Sequence, residues 1–237
     1  MRLDKLLANM GYGSRKDVKK LLKQGIVQIN GDVVKDGSSQ VDPTEQKVFV
    51  RGEEIQYKQF IYLMMNKPKG VISATEDQVE RCVTDLLQPQ ERIFDPFPVG
   101  RLDKDTVGLL LLTNDGQLAH KLLSPKKNIG KRYWALIKGN VTEEDVKAFE
   151  AGVTLDDGYK TKPAQLSIIT RGDTSEIEVV ITEGKFHQIK RMFKAVDKEV
   201  IELKRLEMGP LSLDESLPKG SYRELTDEEL EAIQNVN

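Results

Sequence analysis

Apolar positions in the first part of the chain recur at helical spacing and then switch to short alternating runs. Leu3, Leu6, Leu7 and Met10 share one helical face, and the Gly-Tyr-Gly that follows ends the helix. Ser14 is placed to cap a second helix, whose apolar positions Val18, Leu21 and Leu22 leave Arg15, Lys16, Lys19 and Lys23 on or near one polar side. After Gly25, "IVQINGDVV" is two β-rich runs about Asn30-Gly31, a strong hairpin signal, and "KVFVRG" adds another strand. Two short helices and a hairpin, basic on one side, predict a small binding module.

A linker around "GEEIQYKQF" leads into a longer region of mixed pattern. "FIYLMMNKPKGV" reads as a strand running into a Pro-Gly turn, and "LLLLT" as a buried strand closed by Asn114-Asp115-Gly116. "QLAHKLL" is helical, "RYWALIK" is a strand, and Thr142 caps a helix that Gly152 ends. "QLSIIT" and "EIEVVIT" alternate like an antiparallel pair. "HQIKRMFKAV" is a helix, "VIELKRLEMG" a strand, and a short acidic helix lies near the end. With no sustained repeat, the pattern predicts an α+β chain: a small α/β domain over residues 1–58, then residues 59–237 as a mainly antiparallel sheet flanked by helices.

Composition narrows the function classes. The chain has 237 residues, 38% apolar and 31% charged, which is enough for a real core. Cys82 is the only cysteine and His120 and His187 the only histidines, so neither a disulfide framework nor a zinc site is expected, and no other cofactor motif is present. The apolar run Leu109 to Leu112 is far short of the ~20 residues of a membrane span, and no signal-peptide core precedes it. The expectation is a cytoplasmic monomer with no membrane partner. A net charge of -2 would disfavour nucleic acid if it were spread evenly. It is not: basic residues dominate positions 1 to 35, and the tail compensates with acids.

Candidate chemistry concentrates in "VGRLDKDTVGLLLLTNDG", Val99 to Gly116, where Arg101, Asp103, Lys104 and Asp105 crowd into a loop just before a strand that must be buried. Loops held by a rigid sheet are where reacting groups tend to lie. The same residues also fit a salt-bridged loop with Asp103 capping a turn, and the two aspartates could suggest a glycosidase pair, although their spacing fixes no separation. In "EGKFHQIKRMFKAV", Ile189, Met192, Phe193 and Val196 define a buried helix face, with Lys190 flanking it and His187 and Arg191 pointing further away. A flanking lysine can lay its stem on apolar surface and deliver its ammonium to a pocket edge.

Two segments carry a family resemblance. "RLDKLLANMGYGSRKDVKKLLKQGIVQINGDVV" resembles an S4 RNA-binding domain, and "GRLDKDTVGLLLLTND" resembles the signature of RsuA-type ribosomal pseudouridine synthases. The first resemblance implies that Arg2, Lys5, Ser14, Arg15, Lys16 and Lys19 lie against RNA, positioning it through phosphate. The second implies isomerisation of one uridine to pseudouridine without a cofactor: the bond from ribose C1′ to N1 is cut, the uracil turns, and C5 is joined instead. It implies Asp103 as the catalytic carboxylate, Tyr133 as the residue stacking on the uracil and as a candidate base at C2′, Lys190 as the basic partner and Leu203 as the packing residue beneath. Arg101 is the candidate to hold the displaced backbone or to fill the gap left by the flipped base. "HQIKRM", with its histidine and lysine, resembles members acting on 16S rather than 23S rRNA, with naked RNA or a ribosome-assembly intermediate as partner. The alternatives are the 23S reaction and a noncatalytic S4-type ribosome-assembly protein.

Overall fold

The computed structural model describes residues 1–236 and resolves the chain into two compact units. The first comprises Met1–Ile61 and Gln88–Asp95, the second Tyr62–Leu87 and Pro96–Asn237. The segment 88–95 therefore groups with the first unit, although the linear reading placed it in the second domain. Its Ile93 lies over Gly11, where an added Cβ would be 3.0 Å from the Ile93 side chain.

In the first unit, α1 (Leu3–Asn9) and α2 (Arg15–Lys23) pack on a four-stranded antiparallel sheet of β1 (Val27–Ile29), β2 (Asp32–Val33), β3 (Val48–Val50) and β4 (Glu53–Glu54), in the order β2-β1-β3-β4. Leu3, Leu6, Leu7, Val18, Leu22, Val27, Val48 and Val50 form the core. Ser14 caps α2 through a capping box: its hydroxyl accepts from Asp17 N–H, and the Asp17 carboxylate accepts from Ser14 N–H. Asn30 and Gly31, at φ 52° and 96°, make the β1–β2 turn. Arg51 and Gly52, at φ 55° and 84°, make a second such turn between β3 and β4.

The second unit is built on nine strands: β5 (Tyr62–Lys67), β6 (Phe97–Pro98), β7 (Val107–Thr113), β8 (Lys131–Lys138), β9 (Gln165–Thr170), β10 (Thr174–Ile181), β11 (Glu199–Met208), β12 (Leu211–Ser212) and β13 (Tyr222–Glu224). The order is β13-β5-β7-β11-β8-β10-β9, with β6 on β7 and β12 on β11; among these strands of the described residues, β7 and β11 are the one parallel pair. The unbroken apolar run puts β7 in the sheet interior, with all seven residues buried. Leu109 and Leu111 pack with Met64, with Leu118 and Leu122 of α4 (Gly116–Leu123; α3 is Pro89–Arg92 of the first unit), and with Ile233 of α7 (Asp227–Gln234). By contrast β8 and β10 alternate, burying Tyr133, Ala135, Ile137, Ile177, Val179 and Ile181. Helices α5 (Glu143–Ala151) and α6 (Gln188–Lys194) meet through Phe149 and Phe193, ring centroids 4.9 Å apart.

Two signature elements have structural reasons. Gly108 sits at φ 101° where β7 meets β11, and a Cβ there would lie 2.3 Å from the Arg205 carbonyl oxygen, so only glycine allows the parallel pairing. Asn114-Asp115-Gly116 is a helix start rather than a reversing turn: Asp115 accepts from Gln117 and Leu118 N–H, each at 3.0 Å. Among the described residues, no helix is long and apolar enough to cross a membrane, and no cluster of side chains could hold a metal ion.

Candidate active site

The loop entering β7 is fixed from beneath by two side chains. Ser73 Oγ donates to Leu102 C=O at 2.9 Å and accepts from Leu102 N–H at 3.0 Å. Lys67, at the end of β5, is fully buried. Its ammonium donates to the carbonyls of Asp103 and Thr106 at 3.0 Å, of Pro68 at 3.1 Å and of Lys104 at 3.5 Å. Burial pushes Lys67 down to about 8, although Asp103 and Asp105 favour its charged form. Nothing in "MMNKPKG" marks this lysine as buried, because the carbonyls that hold it come from a loop 36 to 39 positions later. This is why charge clusters ahead of the apolar strand: a buried cation ties down the loop on which half-buried Asp103 and exposed Asp105 stand.

On that loop Asp103 projects into a pocket lined by Arg101, Thr106, Tyr133, His187, Lys190 and Leu203, among others. Asp103 Oδ2 lies 3.3 Å from Lys190 Nζ, and Oδ1 lies 3.5 Å from His187 Nε2. Lys190 also donates to Asp105 Oδ1 at 2.6 Å, so its ammonium bridges two carboxylates. Burial pushes the Asp105 carboxyl up, but the hydrogen bond and charge of Lys190 outweigh it and hold the group below its ordinary value. Tyr133 and Leu203 are buried on the adjacent strands β8 and β11, whereas Arg101 is exposed at the mouth. The sequence-derived group of Asp103, Tyr133, Lys190, Arg101 and Leu203 is thus brought around one pocket.

The helical wheel misplaced His187. It stands just before α6 in the left-handed region, φ 50°, so it leaves the helical spacing and faces Asp103 instead of pointing away. Gln188, unremarked in the sequence, is buried: its amide donates to Glu183 Oε1 at 2.8 Å and its oxygen accepts from Lys185 N–H at 2.9 Å. Arg191 does turn away, to Asp156 and Asp157, and Val196 lies beyond the helix end and is only half-buried.

In the first unit Lys5, Arg15, Lys16 and Lys19 are exposed. Arg2 is also exposed, but its guanidinium makes a two-point contact with Asp4 at 2.7 and 3.0 Å. The Ser14 hydroxyl donates to Asp17 at 2.6 Å as part of the cap.

Residues 61–195 match the RNA pseudouridylate synthase family, and residues 1–47 match the S4 domain. The chain belongs to the RNA pseudouridine synthase family. It is 58% identical to an uncharacterized RNA pseudouridine synthase of Bacillus subtilis (strain 168), over 98% of both chains. It is 42% identical to ribosomal large subunit pseudouridine synthase B of the same organism, over 98% of this chain and 95% of that one. With ribosomal small subunit pseudouridine synthase A of Yersinia pestis the identity is 38% over 98% of both chains. A solved structure described as a pseudouridylate synthase superposes with a TM-score of 0.69 at 35% identity, covering 98% of this chain and 99% of that one. Family membership makes the chain an RNA-modifying isomerase with an N-terminal RNA-binding module.

Proposed function

We propose that this synthase converts a uridine of ribosomal RNA to pseudouridine, with Asp103 as the reacting carboxylate. The observation that carries the reading is the placement of Asp103: anchored through its own backbone by Lys67, and set 3.3 Å from Lys190 over a pocket that Tyr133 and Leu203 line. The reaction breaks the C1′–N1 bond and forms C1′–C5; the proton lost from C5 balances the one gained at N1. A carboxylate at the sugar serves this either by attack on C1′ or by taking part in C2′ deprotonation, and both require it ionised. Lys190 is its counter-charge, Tyr133 stacks on the uracil, and Leu203 packs beneath. The uridine must leave its stack, at a cost of a few kcal/mol, and grip by the S4 module elsewhere on the RNA offsets that cost. Lys5, Arg15, Lys16 and Lys19 are the phosphate contacts of that module; Arg2 and Ser14, engaged with Asp4 and Asp17, shape it.

The substrate is assigned to small-subunit rRNA, on the lysine in "HQIKRM" and the full-length similarity to a small-subunit enzyme. The 42% identity to a large-subunit enzyme favours 23S rRNA as the second reading. Mapping pseudouridine across both rRNAs in a strain lacking the gene separates them: one 16S position should revert to uridine. Complementation with Asp103→Asn, which keeps size and removes charge, should leave that position unmodified while RNA binding persists. Restoration by the asparagine variant overturns the role of Asp103.

A further inference from the structure

Next to the pocket the chain displays an aromatic ring that the mechanism above does not use. Phe186 is 72% exposed and lies stacked on His187, centroids 3.8 Å apart and planes 19° from parallel. One face of the ring is covered by the imidazole, which leaves the other open to solvent. His187 itself reaches Asp103, so the stacked pair runs outward from the reacting carboxylate.

The loop beneath this ring is rigidly built. Glu183 accepts from Tyr159 O–H at 2.7 Å, from Lys162 N–H at 3.0 Å and from the buried Gln188 amide at 2.8 Å. Gln188 in turn accepts from Lys185 N–H. A solvent-facing aromatic on a preorganised loop loses little conformational freedom when something stacks on it. The surroundings say what that is. The Lys185 ammonium lies 4.6 Å from the Tyr159 ring centroid, Lys162 Nζ reaches Asn128 Oδ1 at 2.8 Å, and Lys126 and Lys127 are exposed on the turn just before Asn128. A π face beside the reacting pocket, on a loop that carries Lys185 and is hydrogen-bonded to the backbone of Lys162, is the combination that holds single-stranded nucleic acid: bases on the ring, phosphates on the ammonium groups. An apolar protein partner would have no use for the lysines.

Resting on the reading that Asp103 acts on a flipped uridine, we propose that Phe186 is a stacking ledge for the nucleobase beside that uridine, with Lys185, Lys162, Lys126 and Lys127 receiving the phosphates of the same strand. The ledge holds the neighbouring base out of its own stack and so keeps the target uridine from returning to it.

The test uses the full-length chain and a synthetic rRNA fragment containing the mapped uridine, with a second pair of fragments made abasic at the nucleotide on its 5′ or 3′ side. Phe186→Ala should lower kcat/KM on the intact fragment by about 5- to 150-fold, the range for loss of one stacked base, and Phe186→Trp should restore most of it. One of the abasic fragments should slow the wild-type chain by a similar factor yet slow Phe186→Ala no further. Phe186→Ala within twofold of wild type, or losses that simply multiply with both abasic fragments, would overturn the ledge while leaving the assignment of the reaction intact. The mapping in the deletion strain tests the functional reading by itself: if no rRNA uridine depends on the gene, that reading and the ledge fall together.

Discussion

Replacing Lys67 by methionine removes the buried ammonium but keeps an unbranched side chain of similar length. Two effects oppose each other. Relief comes from no longer burying a charge: the fall from 10.5 to about 8 corresponds to about 3 kcal/mol. Against it stands the loss of a donor to four carbonyls. Two of these keep another partner, because Thr106 N–H still serves Asp103 and Gly70 N–H still serves Lys104. The loss therefore falls on Pro68 and Thr106, at about 1–3 kcal/mol for each stranded acceptor. The net destabilisation is no more than about 3 kcal/mol, a fall in Tm of a few degrees for each kcal/mol. Catalysis should suffer more. Asp103 loses a tie on its own carbonyl, and misplacement of a reacting group by about 1 Å is worth about 10²-fold. Thermal unfolding and single-turnover pseudouridine formation on saturating rRNA measure the two effects separately. The folded-state pKa of Lys67 lies below the unfolded one, so the unfolded chain binds more protons between about pH 8 and 10.5, and this group makes stability rise with pH in that window. The methionine variant should lose that rise. A single-turnover rate within threefold of wild type would refute the claim that Lys67 positions the loop.

The remaining predictions address other parts of the chain. Lys190→Arg should retain substantial activity, whereas Lys190→Met should lose about 10²-fold in kcat, as for loss of one charged partner at a reacting group; equal rates would sink the pairing with Asp103. Changing Arg15, Lys16 and Lys19 together to alanine should weaken rRNA affinity and flatten the plot of log affinity against log salt by up to roughly 0.7–0.9 per lost contact, with little effect on the rate at saturation. An unaltered salt slope would make α2 merely a solvated face. Gly108→Ala should destabilise by about 3 kcal/mol or more in thermal unfolding, since its methyl would meet the Arg205 carbonyl at 2.3 Å; wild-type Tm would refute the steric account.

Strands whose own side chains decide their surroundings were legible in the sequence. The four consecutive leucines of β7 demand cover on both faces, and the alternation in β8 and β10 demands it on one. Asn30-Gly31 announced its hairpin because both residue types tolerate positive φ; the matching turn at Arg51-Gly52 passed unnoticed because arginine rarely sits there. Asp103 and Lys190 stood out through motif and helix face, and the structure sets them 3.3 Å apart. Lys67, Ser73 and His187 did not stand out, for two reasons. The partners of Lys67 and Ser73 are backbone atoms far along the chain, which no local pattern reports. His187 depends on a left-handed backbone that cancels the helical wheel. The acidic tail, read as charge compensation, is partly a clamp: Asp214 and Glu229 both grip Arg223, and hydrogen bonds from Ser216 and Arg223 hold the Asp214 carboxyl down at about 2.

The parallel junction of β7 with β11 has a consequence for the order of events during synthesis. Arg205 Nε donates to the Leu109 carbonyl at 2.7 Å across 96 positions of sequence, and the strand that carries Arg205 also carries Leu203. A nascent chain that has already exposed Asp103 and its lysine anchor still lacks one wall of the pocket until β11 has emerged and slid into register beside Gly108. The RNA-binding module, made first, is available long before that moment. A growing polypeptide could therefore hold RNA but not modify it, and reactivity would switch on only as the last strands close the sheet.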